Sequence, residues 1–219
     1  MEINSVVQKI LSGRNRIPAQ RGLLVAISGI DGSGKGYLAA KLAAALCGRN
    51  LQVANVNVDG WLNLPHTRFA RANPAQHFYL NAIRFDEMFA ELILPLRDRR
   101  SLIIEMDYAA ETATEYRKQL YEYQNVDIIL LEGIYLLKRA YQHFYDLTIW
   151  IDCSYETALE RALARSQEGL PRDETIRAYQ AIYFPAQQIH FQRDDPKKAA
   201  DLIVVNDPRL EKPTAGGQA

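Results

Sequence analysis

Short apolar runs alternate with amphipathic helical patterns along the chain. Runs of this kind, separated by helical stretches, are typical of a parallel sheet that is covered by helices. The pattern therefore predicts an α/β fold with a mainly parallel, five-stranded sheet and helices on both faces. The strand-like runs cover residues 23–28, 52–58, 126–133, 147–153 and 201–206, with a further short buried-strand pattern at 101–106.

Four segments are predicted to be helical. Residues 36–48 (GYLAAKLAAALCG) are rich in strong helix formers and end at a glycine. Residues 83–100 carry apolar side chains at helical spacing, with basic residues near the end, where the helix dipole favours them. Residues 154–166 begin at Ser154, a good N-cap. Residues 1–20 are expected to contain a short amphipathic helix.

Length and composition favour one domain. A chain of 219 residues with 48% hydrophobic content can bury a substantial core, and it contains no internal repeat and no convincing linker. We predict a single domain over residues 1–212. Residues 213–219 (PTAGGQA) are expected to be a disordered tail.

The charge balance gives no general affinity for nucleic acid or for an acidic membrane, because 26 basic residues face 26 acidic ones. Cys47 and Cys153 are too few for a disulfide framework and lack the spacing of metal ligands. No apolar run approaches the length of a membrane span. We therefore expect a cytoplasmic protein without nucleic-acid or membrane partners, and we leave open whether it forms a homo-oligomer.

The segment SGIDGSGKGYL (28–38) contains the pattern G-x-x-x-x-G-K between a predicted strand and a predicted helix. That context is typical of a phosphate-binding P-loop, whose backbone N–H groups surround the phosphates of a nucleotide while a lysine reaches the β- and γ-phosphates. The residues predicted to bind ATP in this segment are Gly29, Asp31, Gly32, Ser33, Gly34, Lys35, Gly36 and Tyr37.

Gly36 departs from the usual pattern. A Ser or Thr hydroxyl at this position is normally a direct ligand of Mg²⁺. In this respect the loop resembles that of adenylate kinases, which also has Gly-Lys-Gly and whose metal is held by phosphates and waters. Mg²⁺ tends to keep several waters and needs only one or two carboxylates. We therefore expect Mg²⁺ to be held less directly here, through waters and acids elsewhere in the site.

Two acids are predicted to follow strands, at the edge where open α/β sheets bind their ligands. Asp59 ends the second predicted strand, and Glu132 follows the apolar run 128–131 with Gly133 next to it. An acid after such a run is a Walker-B-like arrangement that can hold Mg²⁺ directly or through water. We predict Asp59 and Glu132 to be the metal-binding residues, although either could simply be a turn or cap acid.

The chain resembles the uridine kinase and phosphoribulokinase superfamily. The segments that carry the resemblance occur in the family's order, from about residue 23 to 206. They are GIDGSGK, VDGWL, LLEGIYLL, ERALAR followed by GLPRD, and AYQAIYFPA. The resemblance implies a P-loop NTPase fold, the substrate ATP and Mg²⁺. It also implies that Asp59 accepts the proton of the acceptor hydroxyl and that Glu132 supports Mg²⁺.

The same resemblance implies a small helical lid with a mobile loop at 166–173. Arg161 and Arg165 are four residues apart and so share one helix face, and Arg172 follows the loop. In the family, arginines of such a lid clamp the phosphates of ATP. We predict that Arg161 and Arg165 are catalytic, together with Lys35 and Asp59. We predict that Arg172 binds ATP. The alternative is a solvated basic face paired with Glu160 and Glu168.

The acceptor is less well defined by the sequence. Asp86 matches the acid of an F-D pair that holds ribose hydroxyls in uridine kinases, and we predict that Asp59, Asp86, Tyr108 and Arg68 bind the acceptor. The family's segment that reads uracil is not reproduced, because there is no equivalent histidine around Asp107 and Tyr108, where Glu111, Thr112 and Thr114 stand instead. We predict a uridine kinase-like nucleoside kinase. The alternatives are a kinase of pantothenate, glycerate, a sugar phosphate or a nucleoside monophosphate, or an ATP-binding regulator without turnover.

Overall fold

The computed structural model describes residues 3–210 and contains seven β-strands in that range. Five of them form one sheet in the order β2-β5-β1-β6-β7, and all neighbours in it run parallel. The predicted α/β fold with a five-stranded parallel sheet is confirmed. The strands are β1 (Leu23–Gly29), β2 (Val53–Asn57), β3 (Leu102–Tyr108), β4 (Arg117–Tyr123), β5 (Ile128–Gly133), β6 (Leu147–Asp152) and β7 (Leu202–Val205).

Strands β1 and β5 are buried along their whole length, which explains their continuous apolar sequences. Their side chains alternate between two cores, one on each face of the sheet. Val25 and Ile27 contribute to one core, while Leu24 and Ala26 contribute to the other. The edge strand β2 instead alternates buried and exposed positions. The hydrophobic pattern of these strands therefore reflects whether each one lies in the centre or at the edge of the sheet.

Helices cover both faces of the sheet. The first core includes apolar residues of α1 and α2, and the second includes residues of α4, α9 and the helical segment 85–99. The helices are α1 (Ile3–Arg16), α2 (Lys35–Cys47), α3 (Pro65–Arg68), α4 (Pro74–Asn81), α5 (Phe85–Glu87), α6 (Leu94–Arg99), α7 (Tyr155–Arg165), α8 (Arg172–Ala178), α9 (Phe184–Asp194) and α10 (Pro196–Ala199).

Two helical segments contain a π-helical stretch that is separated from a following proline by one residue. Met88–Ile93 joins α5 to α6 and precedes Pro95, and Tyr179–Tyr183 joins α8 to α9 and precedes Pro185. Proline has no N–H to donate to the carbonyl four residues back, so the regular α-helical bonding pattern cannot continue through it. The predicted helix at 83–100 is therefore real, but it is not uniform.

The apolar run at 101–106 does not join the main sheet. It forms β3, which pairs with β4 in a separate antiparallel hairpin. Ile103 on this strand is 65% exposed, so the expectation of a buried strand is wrong here. Only one face of a two-stranded ribbon can pack against the protein, and the other face remains in solvent. The β3–β4 loop is anchored near the end of β2 by a bridge between Trp61 and Ala109.

The predicted domain limits can be compared with the structure only in part. The N-terminal helix predicted within 1–20 is observed as α1. Of the predicted lid loop at 166–173, residues 166–171 connect α7 to α8, and the last two residues belong to α8, which begins at Arg172. The predicted tail at 213–219 lies outside the described residues. A single domain over 1–212 stays a prediction.

Candidate functional site

The loop after β1 and the start of α2 form an anion-binding cradle. Lys35 is the first residue of α2 and is buried, and its Nζ donates a hydrogen bond to the carbonyl of Ile30 at 2.9 Å. Backbone N–H groups at the start of a helix have no partner within the helix and attract anions. The N-cap residue Gly34 supplies no side chain to cover them. This end of α2 is therefore open to the phosphates of a nucleotide.

Two glycines of the loop have no room for a side chain. Gly32 has a φ of +74°, and a Cβ on it would lie 2.5 Å from the carbonyl oxygen of Ala158. Gly34 has a φ of +94°, and a Cβ there would lie 2.4 Å from Nδ2 of Asn206. Left-handed backbone and close approach both require glycine. Asn206 also donates from Nδ2 to the carbonyl of Ser33 at 2.8 Å, so the chain beyond β7 supports the loop.

The two predicted metal acids lie at the carboxyl ends of neighbouring strands. In the pairing of β2 with β5, Asn57 stands opposite Glu132. Asp59 follows two residues later in a 3₁₀ turn (Val58–Gly60), and its backbone N–H donates to Oδ1 of Asn57 at 2.7 Å. The parallel register thus places both acids at the same edge of the sheet, next to the loop that follows β1.

Burial changes the acidity of both groups. It raises the pKa of Asp59, and the positive charge of Lys35 only partly opposes this effect. Burial also raises the pKa of Glu132, to about 7, against the opposing charge of Lys35. The negative charge of Asp59 adds a smaller increase to the pKa of Glu132. A carboxylate with a raised pKa is a better proton acceptor near neutral pH.

Gly36 leaves space beside Glu132. A Cβ on Gly36 would lie 3.4 Å from Oε1 of Glu132, so the position of the missing hydroxyl faces this carboxylate directly. Among residues 3–210, no cluster of three or more His, Cys, Asp or Glu side chains could hold a metal by itself. Two hard oxygen donors, Asp59 and Glu132, nevertheless fit Mg²⁺, which binds proteins through one or two carboxylates and substrate phosphates.

The two arginines of α7 point toward the loop but have different partners. Arg161 donates to backbone carbonyls, from Nη1 to Ser33 at 3.3 Å and from Nη2 to Asn206 at 3.0 Å. Arg165 forms ion pairs with Asp31 at 3.4 Å and with Glu168 at 3.2 Å. Arg161 therefore braces the loop, whereas Arg165 pairs with two acids at its surface.

Arg165 belongs to a polar cluster that joins the lid to the loop. The hydroxyl of Tyr179 lies within hydrogen-bond distance of both Asp31 and Glu168. Burial alone would raise the pKa of Asp31, but the charges of Lys35 and Arg165 and the hydrogen bond from Tyr179 together lower it. Asp31 is therefore held as a carboxylate. Of the predicted alternative partners, Glu168 does pair with a lid arginine, while Glu160 pairs with Arg209.

These groups surround a cavity of about 390 Å³. The predicted site residues that line it are Asp31, Gly32, Gly34, Lys35, Gly36, Tyr37, Asp59, Glu132, Arg161 and Arg165. The structure thus brings together residues from the loop, from two strand ends and from α7. The predicted residues Gly29 and Ser33 are buried and do not line the cavity.

Four other predicted residues also lie outside the cavity lining. Arg68 is 1% exposed, and its Nη1 forms an ion pair of 2.9 Å with Glu111. Asp86 accepts a hydrogen bond of 2.7 Å from the hydroxyl of Tyr141. Tyr108 packs beside Gly60, where a Cβ would lie 3.1 Å from its ring.

The fourth residue, Arg172, is exposed at the start of α8. In the arrangement described, its side chain is not part of the cavity wall, so contact with bound ATP would require the 166–173 segment to move.

Other parts of the cavity wall are formed by residues that the sequence did not single out as site residues. Leu62, Tyr135 and Tyr183 lie within segments that carry the family resemblance, but those segments do not mark them as site residues. The others come from separate elements, and each has an ordinary sequence context. A buried polar side chain within an apolar helix face is the one signal that could have found Gln187. The residues are Leu62, Phe78, Glu111, Tyr135, Tyr183 and Gln187.

Comparison with known proteins decides the family. The family model described as "Phosphoribulokinase / Uridine kinase family" matches residues 24–206. The chain belongs to this family. The resemblance seen in the motifs is thereby confirmed, and the chain is an enzyme of the small-molecule kinase class.

Individual relatives agree with this assignment. The uridine kinase of Limosilactobacillus reuteri (strain DSM 20016) is 28% identical over 192 residues, which is 84% of each chain. A solved structure described as a "possible uridine kinase" from Bacillus stearothermophilus has a TM-score of 0.73 at 20% identity, covering 92% of this chain and 96% of that one.

A second solved structure has a different stated acceptor. The D-glycerate 3-kinase of Cryptococcus neoformans var. grubii has a TM-score of 0.61 at 12% identity, covering 95% of this chain and 96% of that one. At these identities the two solved structures show that the fold is shared. Within residues 3–210, no helix combines the length and apolar composition that a membrane crossing requires.

Proposed function

We propose that this enzyme transfers the γ-phosphoryl group of ATP to a hydroxyl group of a small metabolite, as a nucleoside kinase similar to uridine kinases. The observation that carries the proposal is the shared cavity of Lys35, Asp59 and Glu132. One phosphate-binding lysine, one candidate base and one metal-supporting acid are the groups that phosphoryl transfer needs in one place.

The role proposed for each residue follows from its position in the cavity. Lys35 and the N–H groups at the start of α2 bind the phosphates, and Arg165 is placed to add positive charge once its pairing with Asp31 opens. Asp59 orients the attacking hydroxyl and takes its proton, which its raised pKa favours. Glu132 and Asp59 would hold Mg²⁺, which neutralises phosphate charge when it is bound.

The first test separates chemistry from nucleotide binding. In Asp59→Asn, we expect turnover to fall by about 10³-fold or more, because no base remains, while ATP affinity stays within about threefold of the parent. Asp98→Asn removes an exposed acid on α6 and serves as the matched control. ADP release and ATP binding by calorimetry are the two measurements. Full turnover in Asp59→Asn would show that Asp59 is not the base.

The second test concerns the nucleotide site itself. Lys35→Ala should weaken ATP binding by about tenfold or more, since a buried charge facing the phosphates is lost. Unchanged affinity would contradict the whole assignment of the loop. A regulator without turnover, suggested by the missing hydroxyl at Gly36, predicts tight ATP binding with no product from any acceptor. An acceptor screen that includes pantothenate, glycerate, sugar phosphates and nucleoside monophosphates distinguishes these outcomes.

A further inference from the structure

Three side chains in the cavity wall, those of Tyr135, Glu168 and Gln187, have buried polar atoms without a hydrogen-bond partner, and in Tyr135 and Gln187 every polar side-chain atom lacks one. Tyr135 and Gln187 are each 1% exposed. Neither the hydroxyl of Tyr135 nor the Oε1 and Nε2 atoms of Gln187 have a partner anywhere in the described part of the chain. Unpaired buried polar groups are unfavourable and rare, so each one calls for an explanation. Both residues line the cavity, where a bound molecule could supply the missing partners.

The backbone of Tyr135 adds a second observation. Its φ is +60°, in the left-handed region that bulky side chains seldom adopt. Strained backbone of this kind persists where the surrounding fold enforces it, and it is concentrated at ligand-binding and catalytic positions. Tyr135 follows Glu132 by three residues, just beyond the end of β5. The strain therefore keeps the phenol in the wall of the cavity, close to the acids of the site.

Aromatic side chains surround these two polar groups. The ring of Phe78 lies 5.0 Å from that of Tyr183 and 6.5 Å from that of Tyr135, measured between centroids. Tyr183 directly precedes α9, and Gln187 follows it by four residues, which places both on the same side of this continuous helical segment. Flat apolar walls beside a carboxamide and a phenol suit a planar, uncharged group that also forms hydrogen bonds.

The charges in the cavity wall argue against a negatively charged acceptor. All three cationic side chains in the wall, Lys35, Arg161 and Arg165, belong to the loop and α7, where the phosphates of ATP are expected. Arg68 is already paired with Glu111 and lies outside the wall. A phosphate or carboxylate on the acceptor would therefore meet acids without a free cation. The five acids of the wall are Asp31, Asp59, Glu111, Glu132 and Glu168.

We propose that Tyr135 and Gln187 bind the phosphoryl acceptor, and that this acceptor is an uncharged hydroxyl compound with a planar amide-type edge. The carboxamide of Gln187 offers one acceptor and two donors, which complements adjacent N–H and C=O groups such as those of a pyrimidine ring. The phenol of Tyr135 can donate one further hydrogen bond and accept another. This inference rests on the proposed kinase function and specifies which acceptors it takes.

The charge of the acceptor is tested with matched pairs. ADP release is measured for a nucleoside and its monophosphate, for a sugar and its phosphate, and for pantothenol and pantothenate. Thermal shifts with a non-hydrolysable ATP analogue report acceptor binding independently of turnover. We expect a nucleoside to be preferred over its monophosphate by about 100-fold or more in kcat/KM, since a site without a free cation cannot compensate a buried charge. Preference for any charged member overturns the inference, and so does a panel in which no uncharged member binds or reacts.

The roles of the two residues are tested by removing their polar atoms. Gln187→Leu and Tyr135→Phe should each raise the acceptor KM or dissociation constant by about tenfold or more while leaving the KM for ATP unchanged. Neither variant should lower the Tm of the free protein, because no hydrogen bond within the described residues is lost. Unchanged acceptor affinity in both variants would overturn the inference.

Two control variants separate recognition from general damage. Gln188→Leu changes the exposed neighbour of Gln187 and should leave acceptor affinity unchanged. Tyr145→Phe removes a hydroxyl that donates to the carbonyl of Leu136 at 2.8 Å, so it should lower Tm without changing acceptor affinity. If an uncharged compound binds through Gln187 but no ADP is released, the kinase proposal fails, while the assignment of Tyr135 and Gln187 to the binding of an uncharged ligand stands.

Discussion

Replacing Glu132 by glutamine should stabilise the free enzyme at neutral and alkaline pH while it weakens Mg²⁺-dependent turnover. Glu132 is 6% exposed, and burial raises the pKa of its carboxyl to about 7 from an ordinary value of 4.5. Glutamine has nearly the same shape but never carries the charge. The variant therefore removes the cost of ionising a buried carboxyl, together with one of the two oxygen donors that fit Mg²⁺.

The sign and size of the effect follow from proton binding. Between pH 4.5 and about 7 the folded parent keeps a proton on Glu132 that the unfolded chain has released. Its free energy of unfolding therefore falls as the pH rises through this window. A difference of about 2.5 pH units, at about 1.4 kcal/mol for each unit, corresponds to up to about 3.5 kcal/mol. For a domain of this size that is roughly 7 to 14 °C in Tm.

The assay is thermal unfolding of parent and variant between pH 4 and 8.5 without nucleotide or metal. We expect equal Tm values near pH 4.5 and a growing advantage of Glu132→Gln up to about pH 7, constant above it. Glu122→Gln, which changes an exposed acid on β4, controls for the loss of one negative charge. A variant that is no more stable than the parent at pH 8 would refute the reasoning about burial.

Three further predictions concern the loop and its surroundings. Gly36→Ser places a hydroxyl beside the metal-supporting carboxylate and should lower the Mg²⁺ concentration for half-maximal activity; a variant that binds Mg²⁺ no better than the parent contradicts this account of the loop. Gly32→Ala should weaken ATP binding by about tenfold or more in calorimetry, because its Cβ would lie 2.5 Å from the rigid carbonyl of Ala158. Arg68→Met should cost up to about 3 kcal/mol in urea unfolding, because it leaves the partly buried carboxyl of Glu111 unpaired, and adding Glu111→Gln should restore most of that loss; no recovery in the double variant would argue against the ion pair as the cause.

The phosphate-binding end of the cavity could be predicted because its parts are local in sequence. The loop 29–35 specifies its own shape through glycines and a lysine between a strand and a helix. Asp59 and Glu132 were placed correctly at strand ends, because parallel strands present their carboxyl ends at one edge. The roles assigned to these residues stay predictions, but their meeting in one cavity is a structural fact.

Other predictions depended on partners that the sequence does not reveal. The apolar run at 101–106 reads like a sheet strand, yet its partner is β4, and β4 has no marked apolar pattern. The alternation on β3 could not show that its outer face lies in solvent. Arg68 has the charge expected of an anion ligand, but Glu111, 43 positions away, neutralises it.

The sequence by itself determined the family, the sheet and the predicted phosphate-binding loop, because each of these depends on contiguous segments whose local conformation follows from residue type. Only the tertiary structure showed which residues form the proposed acceptor-binding part of the cavity. Four of these residues come from four separate elements and meet only when the chain packs. They are Phe78 in a helix, Glu111 in a hairpin loop, Tyr135 after a strand and Gln187 in another helix. Burial determines what these side chains can do, because a polar group that is removed from water and has no partner in the protein favours a ligand that supplies the missing hydrogen bond.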